Sequence, residues 1–128
     1  MTNPIDLCPI DMPHARDIVD GDMDLLQEIV CIFLLDYQSQ VTALQQAITT
    51  GDPGETRSKA HRLKCSLGNI GGWHAYKLAY DLELMGLRGD LRGATRYLHT
   101  LTDEIERIVT FFGQPNWVEQ TGDLPKVY

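Results

Sequence analysis

Arg57, Lys59, His61, Arg62 and Lys64 bring one histidine and four of the chain's eleven Lys and Arg residues into a single short stretch. Histidine as a residue type titrates near about 6.5, so a neutral imidazole is available around neutral pH. Attack of a ring nitrogen on phosphorus forms a labile P–N bond that keeps most of its transfer potential. On a helix of about 100° per residue, Leu63, Leu67 and Ile70 fall roughly 160–240° from His61, which points the ring away from the apolar stripe. Within about 60° of it stand Gly54, Arg57, Ser58, Lys64, Cys65 and Gly68, two cations among small residues. Lys64, one turn on and expected to be exposed, could balance the charge of a phosphoryl group. Gly68 costs about 1 kcal/mol relative to alanine in a helix interior, so its place beside His61 points to close approach by a partner or to a tight helix–helix contact. The ordinary roles of such residues are plainer, since a surface histidine is usually just solvated and clustered cations usually serve solubility.

The elements that carry these residues are helical throughout, because apolar residues recur at three- and four-residue intervals and sustained strand-like alternation is lacking. Asp11 and Pro13 start a short helix that ends near Asp20-Gly21. Asp22 caps a second helix, about Met23–Thr49, with Leu25, Ile29, Phe33, Tyr37, Val41, Leu44 and Ile48 inward. Gly51-Asp52-Pro53 separates it from a third, about Pro53–Asn69, whose buried side is Ala60, Leu63 and Leu67, continued by Ile70. After Gly71-Gly72, a fourth helix runs from Trp73 to about Leu87 with Leu78, Leu82 and Met85 inward. Gly89-Asp90 turns the chain and caps a fifth, carrying Ala94, Leu98, Leu101, Ile105, Ile108 and Phe112, which Gly113 and Pro115 stop. Such short connections predict an all-α fold, an antiparallel up-down-up-down four-helix bundle with a short additional N-terminal helix at one end.

The 128 residues suit one domain, with the bundle core at about residues 22–113 and a tail at 114–128, where Trp117 and Val118 dock and the last residues fray. A net charge of −7 argues against a broad nucleic-acid or anionic-membrane surface, both of which are bound mainly through Lys and Arg. Cys8, Cys31 and Cys65 are odd in number and lack CxxC spacing, so neither a disulfide framework nor a thiolate zinc site is indicated, and a reducing cytoplasm fits. Residues 1–7 lack the features of a signal peptide, and the longest apolar run, residues 29–35, is far short of the roughly 20 residues a membrane span needs. That run is apolar all round a helix, which implies a second buried contact, either with the short first helix or in a dimer.

Ala60-His61-Arg62-Leu63-Lys64, followed by Ser66, Gly68, Ile70 and Gly71, resembles the signature of histidine-containing phosphotransfer (HPt) domains of two-component phosphorelays. Gly51-Asp52, Leu82-Glu83 and Gly89-Asp90 are similar to the family's layout, and the likeness spans about residues 23–112. The resemblance implies that His61 accepts a phosphoryl group from a receiver-domain aspartate or a kinase and passes it to another receiver aspartate. It also implies that Lys64 orients or neutralises the group. Glu83, on the next helix, is the best-placed candidate for the polar side chain that bonds the imidazole in some members, its other reading being a solvated or salt-bridged glutamate. Arg57, Ser58, Arg62, Cys65, Gly68 and Gly72 would form the docking face. The implied partners are response-regulator receiver domains and a histidine kinase of the hybrid type, met by a monomer or a dimer. Mg²⁺ is expected on the receiver, and the chain itself would hold no cofactor or metal. Two positions depart from the family pattern: Cys65 stands where glycine is usual, and Gly72 where alanine is frequent.

A Gly-rich phosphate loop is lacking and an ATP-binding domain does not fit beside the bundle, so the reading is a phosphocarrier without kinase activity of its own. One rival is a helical adaptor in which His61 is incidental. Another is a metal centre in the bundle built from His61, His74 and His99 with a carboxylate, although the Glu-x-x-His pairs of such centres are missing.

Overall fold

Asp11, Asp22 and Asp52 each precede a helix, and in the computed structural model each carboxylate accepts from the backbone N–H three residues on, that of His14, Leu25 or Glu55, at 3.1 Å. The structure describes residues 8–115, 117 and 118. Among them are helices α1 (Met12–Ile18), α2 (Met23–Thr49), α3 (Pro53–Asn69), α4 (Trp73–Arg88) and α5 (Ala94–Phe112). Residues 50–52, 70–72 and 89–93 are all that joins the four long helices, so successive ones run antiparallel. α3 packs on both α2 and α4, α4 packs on α5, and α5 returns to α2, which closes the bundle. The fold is therefore all-α, a four-helix bundle with a short N-terminal helix. Leu26, Leu44, Leu63, Leu67, Ile70, Leu82, Leu101, Ile105 and Ile108 are its fully buried centre.

α1 covers one end, as expected, through Asp11. Its N–H donates to the Gly71 carbonyl at 2.8 Å, and its carboxylate accepts from Trp73 Nε1 at 3.1 Å. Gly71 permits this because its φ is +75° and a Cβ there would stand 2.6 Å from the Asp11 carbonyl oxygen. At the other terminus Trp117 is buried edge-on against Phe112, with ring centroids 4.9 Å apart, and Val118 is half-buried, so both dock as expected. The fraying expected of the last residues and the reading of residues 1–7 lie outside the described residues. No helix among the described residues is long and apolar enough to cross a membrane.

The helices differ from expectation in three places. In α2, Leu25 is exposed while Leu26 and Val30 are buried, and Ile29 is only half-buried. Repeated steps of four overshoot the 3.6-residue turn, so a stripe drawn from Leu25 drifts round the helix, whereas the buried face alternates steps of three and four. In α4, Leu82 is buried but Leu78 and Met85 are half-buried, and Ala75, Ala79 and Gly86 share the interior. Small residues there let α4 approach α3 closely. Finally, Asp90 does not cap α5, which begins at Ala94 after Gly93. Its carboxylate accepts instead from the Arg92 backbone and guanidinium, and the Arg92 hydrogen bond pulls it down to about 2. The apolar run of α2 keeps Ile32 and Leu35 at 59% and 76% exposure, so packing of α1 does not account for it.

Gly86 sets the α3–α4 distance: a Cβ would lie 2.6 Å from both the Pro53 carbonyl oxygen and the Arg57 amide nitrogen. Gly86→Ala is expected to lower stability by about 1–3 kcal/mol, because backbone rather than a flexible side chain has to give way. A urea midpoint unchanged from wild type would contradict that packing.

Candidate functional site

His61 stands on the outer face of α3, eight residues into the helix, where the buried face is held by Thr56, Ala60, Leu63 and Leu67. Its side chain is 57% exposed, and Nδ1 lies 2.8 Å from Glu83 Oε2 on α4. The other Glu83 oxygen, Oε1, lies 2.8 Å from Lys64 Nζ. One carboxylate thus joins the imidazole and the ammonium, which are neighbours at i and i+3 on α3. Burial alone would push the Glu83 carboxyl up, but the hydrogen bonds from Lys64 and then His61 outweigh it and hold the group below its ordinary value of 4.5. The Glu83 hydrogen bond in turn raises Lys64 above the ordinary lysine value. In the neutral ring, an ionised carboxylate favours the tautomer in which Nδ1 donates to Glu83 and the lone pair is on Nε2.

Lys64 is not the free surface lysine expected. Its side chain is only 14% exposed, and Nζ lies 5.9 Å from the Tyr76 ring centroid and 5.2 Å from that of Tyr80. The aromatic faces and the carboxylate together fix the ammonium beside His61. Tyr76 also explains Gly68, where a Cβ would meet the tyrosine ring at 3.3 Å. Gly68 therefore serves a tight internal contact with α4. Gly72 does not belong to an exposed docking face at all: it is buried, and a Cβ there would stand 2.9 Å from the Ile108 side chain. Arg57, Ser58, Arg62 and Cys65 are exposed as expected. Arg62 turns toward α2, where it and Lys59 line a groove with Asp36 and Gln40. Cys65 Sγ lies 3.7 Å from His61 Nε2.

The sequence did not single out a second histidine–carboxylate pair at the α1 end of the bundle. His74 Nδ1 lies 3.3 Å from Glu104 Oε1, and both Glu104 oxygens also accept from Arg107 at 3.0 and 3.1 Å. Glu104 is buried in the middle of the α5 stripe, and a glutamate in an apolar row facing a histidine and an arginine was the available sign. Among the described residues no group of three or more His, Cys, Asp and Glu side chains is arranged to hold a metal ion, so His61, His74 and His99 form no such centre.

The model of the Hpt domain family matches residues 28–111, more than half of the chain. The chain belongs to the Hpt domain family, and this membership supports a phosphotransfer role of the phosphocarrier kind. Its fold is similar to the crystal structure of histidine-containing phosphotransfer protein B (HptB) from Pseudomonas aeruginosa PAO1. The TM-score is 0.72 at 21% identity, over 95% of this chain and 98% of that one. No match was found among curated proteins.

The depressed Glu83 carboxyl has a sign in pH. A group held below its unfolded value contributes stability that is complete above about 4.5 and is lost as pH falls through the lowered value. Glu83→Gln is expected to be less stable than wild type by roughly 1–2 kcal/mol at neutral pH, since it unties a mostly covered lysine. Denaturant titrations across acidic pH should show this gap closing below the ordinary carboxylate range. A gap of constant size would mean that the carboxylate charge is not what holds the cluster.

Proposed function

We propose that the chain acts as one HPt domain, in which His61 Nε2 takes a phosphoryl group from a receiver-domain aspartate and gives it to another. The observation that carries this reading is the single carboxylate of Glu83 holding both Nδ1 of an exposed imidazole and the Lys64 ammonium. As the Nε2 lone pair attacks phosphorus, the P–O bond to the aspartate breaks and the ring becomes cationic while Nδ1 keeps its proton. Glu83 faces that cation and stabilises it, as a carboxylate behind a catalytic imidazole does in acyl transfer. A cationic ring is also a good leaving group, so the same contact supports onward transfer. Lys64, fixed one turn along, supplies positive charge beside the phosphoryl oxygens.

Arg57, Ser58, Arg62 and Cys65 form the exposed rim that a receiver would meet, and Gly68 keeps that rim low without itself being the point of contact. The receiver brings the aspartate and its Mg²⁺, and a hybrid-type histidine kinase would feed the relay upstream. Rate enhancement comes from positioning and charge neutralisation across the interface, and the bundle has no kinase activity alone. His74 is the weaker alternative acceptor. Its carboxylate is already forked by Arg107, and Lys77, one turn on, pairs with Asp81 rather than with that carboxylate.

Incubation with a phosphorylated receiver domain tests the assignment. Label should pass to wild type and to His74→Gln but fall at least about a hundredfold in His61→Gln, as expected when the nucleophile itself is removed. Undiminished transfer to His61→Gln would sink the proposal, and binding without any transfer to wild type would favour an adaptor.

A further inference from the structure

His61 and Cys65 are one helical turn apart, share the exposed face of α3, and present Nε2 and Sγ to each other at 3.7 Å. This separation exceeds what an optimal hydrogen bond needs, but it matches another chemistry. A tetrahedral zinc ion about 2.1 Å from an imidazole nitrogen and about 2.3 Å from a thiolate sulfur requires those two donors to stand about 3.6 Å apart. The remaining ring nitrogen is also arranged as in metal sites, where a ligating histidine donates its second N–H to a carboxylate that fixes tautomer and ring orientation. Glu83 does this at 2.8 Å. Both donors are exposed, so an ion reaches them without unfolding, and water can complete its shell.

We propose that His61 Nε2 and Cys65 Sγ form a two-ligand site for an exchangeable thiophilic cation of the zinc class, which competes with the phosphoryl group for Nε2. Binding releases the thiol proton to solvent, leaves Nδ1–H on Glu83, and engages the lone pair that would attack phosphorus. Two protein ligands make a labile site rather than a structural one, which suits reversible inhibition of the carrier. It also gives a purpose to cysteine at the position where the family usually has glycine. The site itself stands on geometry alone, whereas its inhibitory effect rests on the reading of His61 as the acceptor.

The test uses the reduced, full chain with Co²⁺ as a spectroscopic substitute for Zn²⁺. A thiolate-to-cobalt charge-transfer band, displaced by Zn²⁺, should appear in wild type and be lost in both Cys65→Ser and His61→Gln, with circular dichroism confirming that each variant is folded. A wild-type chain without the band, or a band that survives in either variant, overturns the site. In parallel, phosphorylation of His61 by the small-molecule donor phosphoramidate, which needs no receiver, is followed by peptide mapping with Zn²⁺ and with chelator. Zn²⁺ should slow wild type at least about tenfold while changing Cys65→Ser less than twofold, each relative to its own chelator-treated rate. Equal slowing of both overturns the competition. Label passed to His61→Gln from a phosphorylated receiver domain would instead refute the phosphotransfer reading, which the cobalt spectra do not depend on.

Discussion

The Glu83 carboxylate ties two side chains of α3 to α4, and the candidate site depends on how close those helices come. An imidazole that is 57% exposed would otherwise sample several rotamers and both neutral tautomers. Bonded through Nδ1 it keeps one ring orientation, with the proton on the inner nitrogen and the lone pair on the outer one. Lys64 would likewise spread over many rotamers, but its ammonium is held between a carboxylate and two tyrosine rings. The ordering cost is met when the bundle folds, so this face is arranged before anything binds it.

That closeness comes from small residues placed one or two turns apart. Gly86 lies against the α3 backbone and Gly68 against Tyr76 of α4, while Ala75 and Ala79 are the small buried residues of α4. Each spot has room for a hydrogen or a methyl group and little more. The glycines near the site therefore act through packing between α3 and α4, and through that packing they set the distance from Glu83 to His61. Asp11 adds the last constraint by latching α1 onto the Gly71 turn, which fixes where α3 ends and α4 begins.

Much of this was legible in the residues. Asp11, Asp22 and Asp52 mark helix starts by a local rule, and the periodic apolar stripe of α3 places His61 on the opposite side of that helix. What stayed hidden depends on contacts between helices. A wheel drawn for α3 cannot show that Tyr76 and Tyr80 of α4 cover Lys64, so that lysine read as exposed. Gly72 read as part of an open face because nothing local reveals Ile108 against it. Glu104 sits in an apolar row of α5 and is buried only because Arg107 and His74 satisfy it. The stripe of α2 was placed one residue off at its start, since a long helix magnifies any error in the assumed repeat.

The claim on which the rest turns is that Nε2 of His61, and no other nitrogen, carries the phosphoryl group. A phosphorus–nitrogen NMR correlation on the phosphorylated, isotope-labelled chain reads this atom directly. The account predicts coupling of phosphorus to His61 Nε2, with Nδ1 still protonated against Glu83. Coupling to Nδ1, or to a nitrogen of His74, would contradict it.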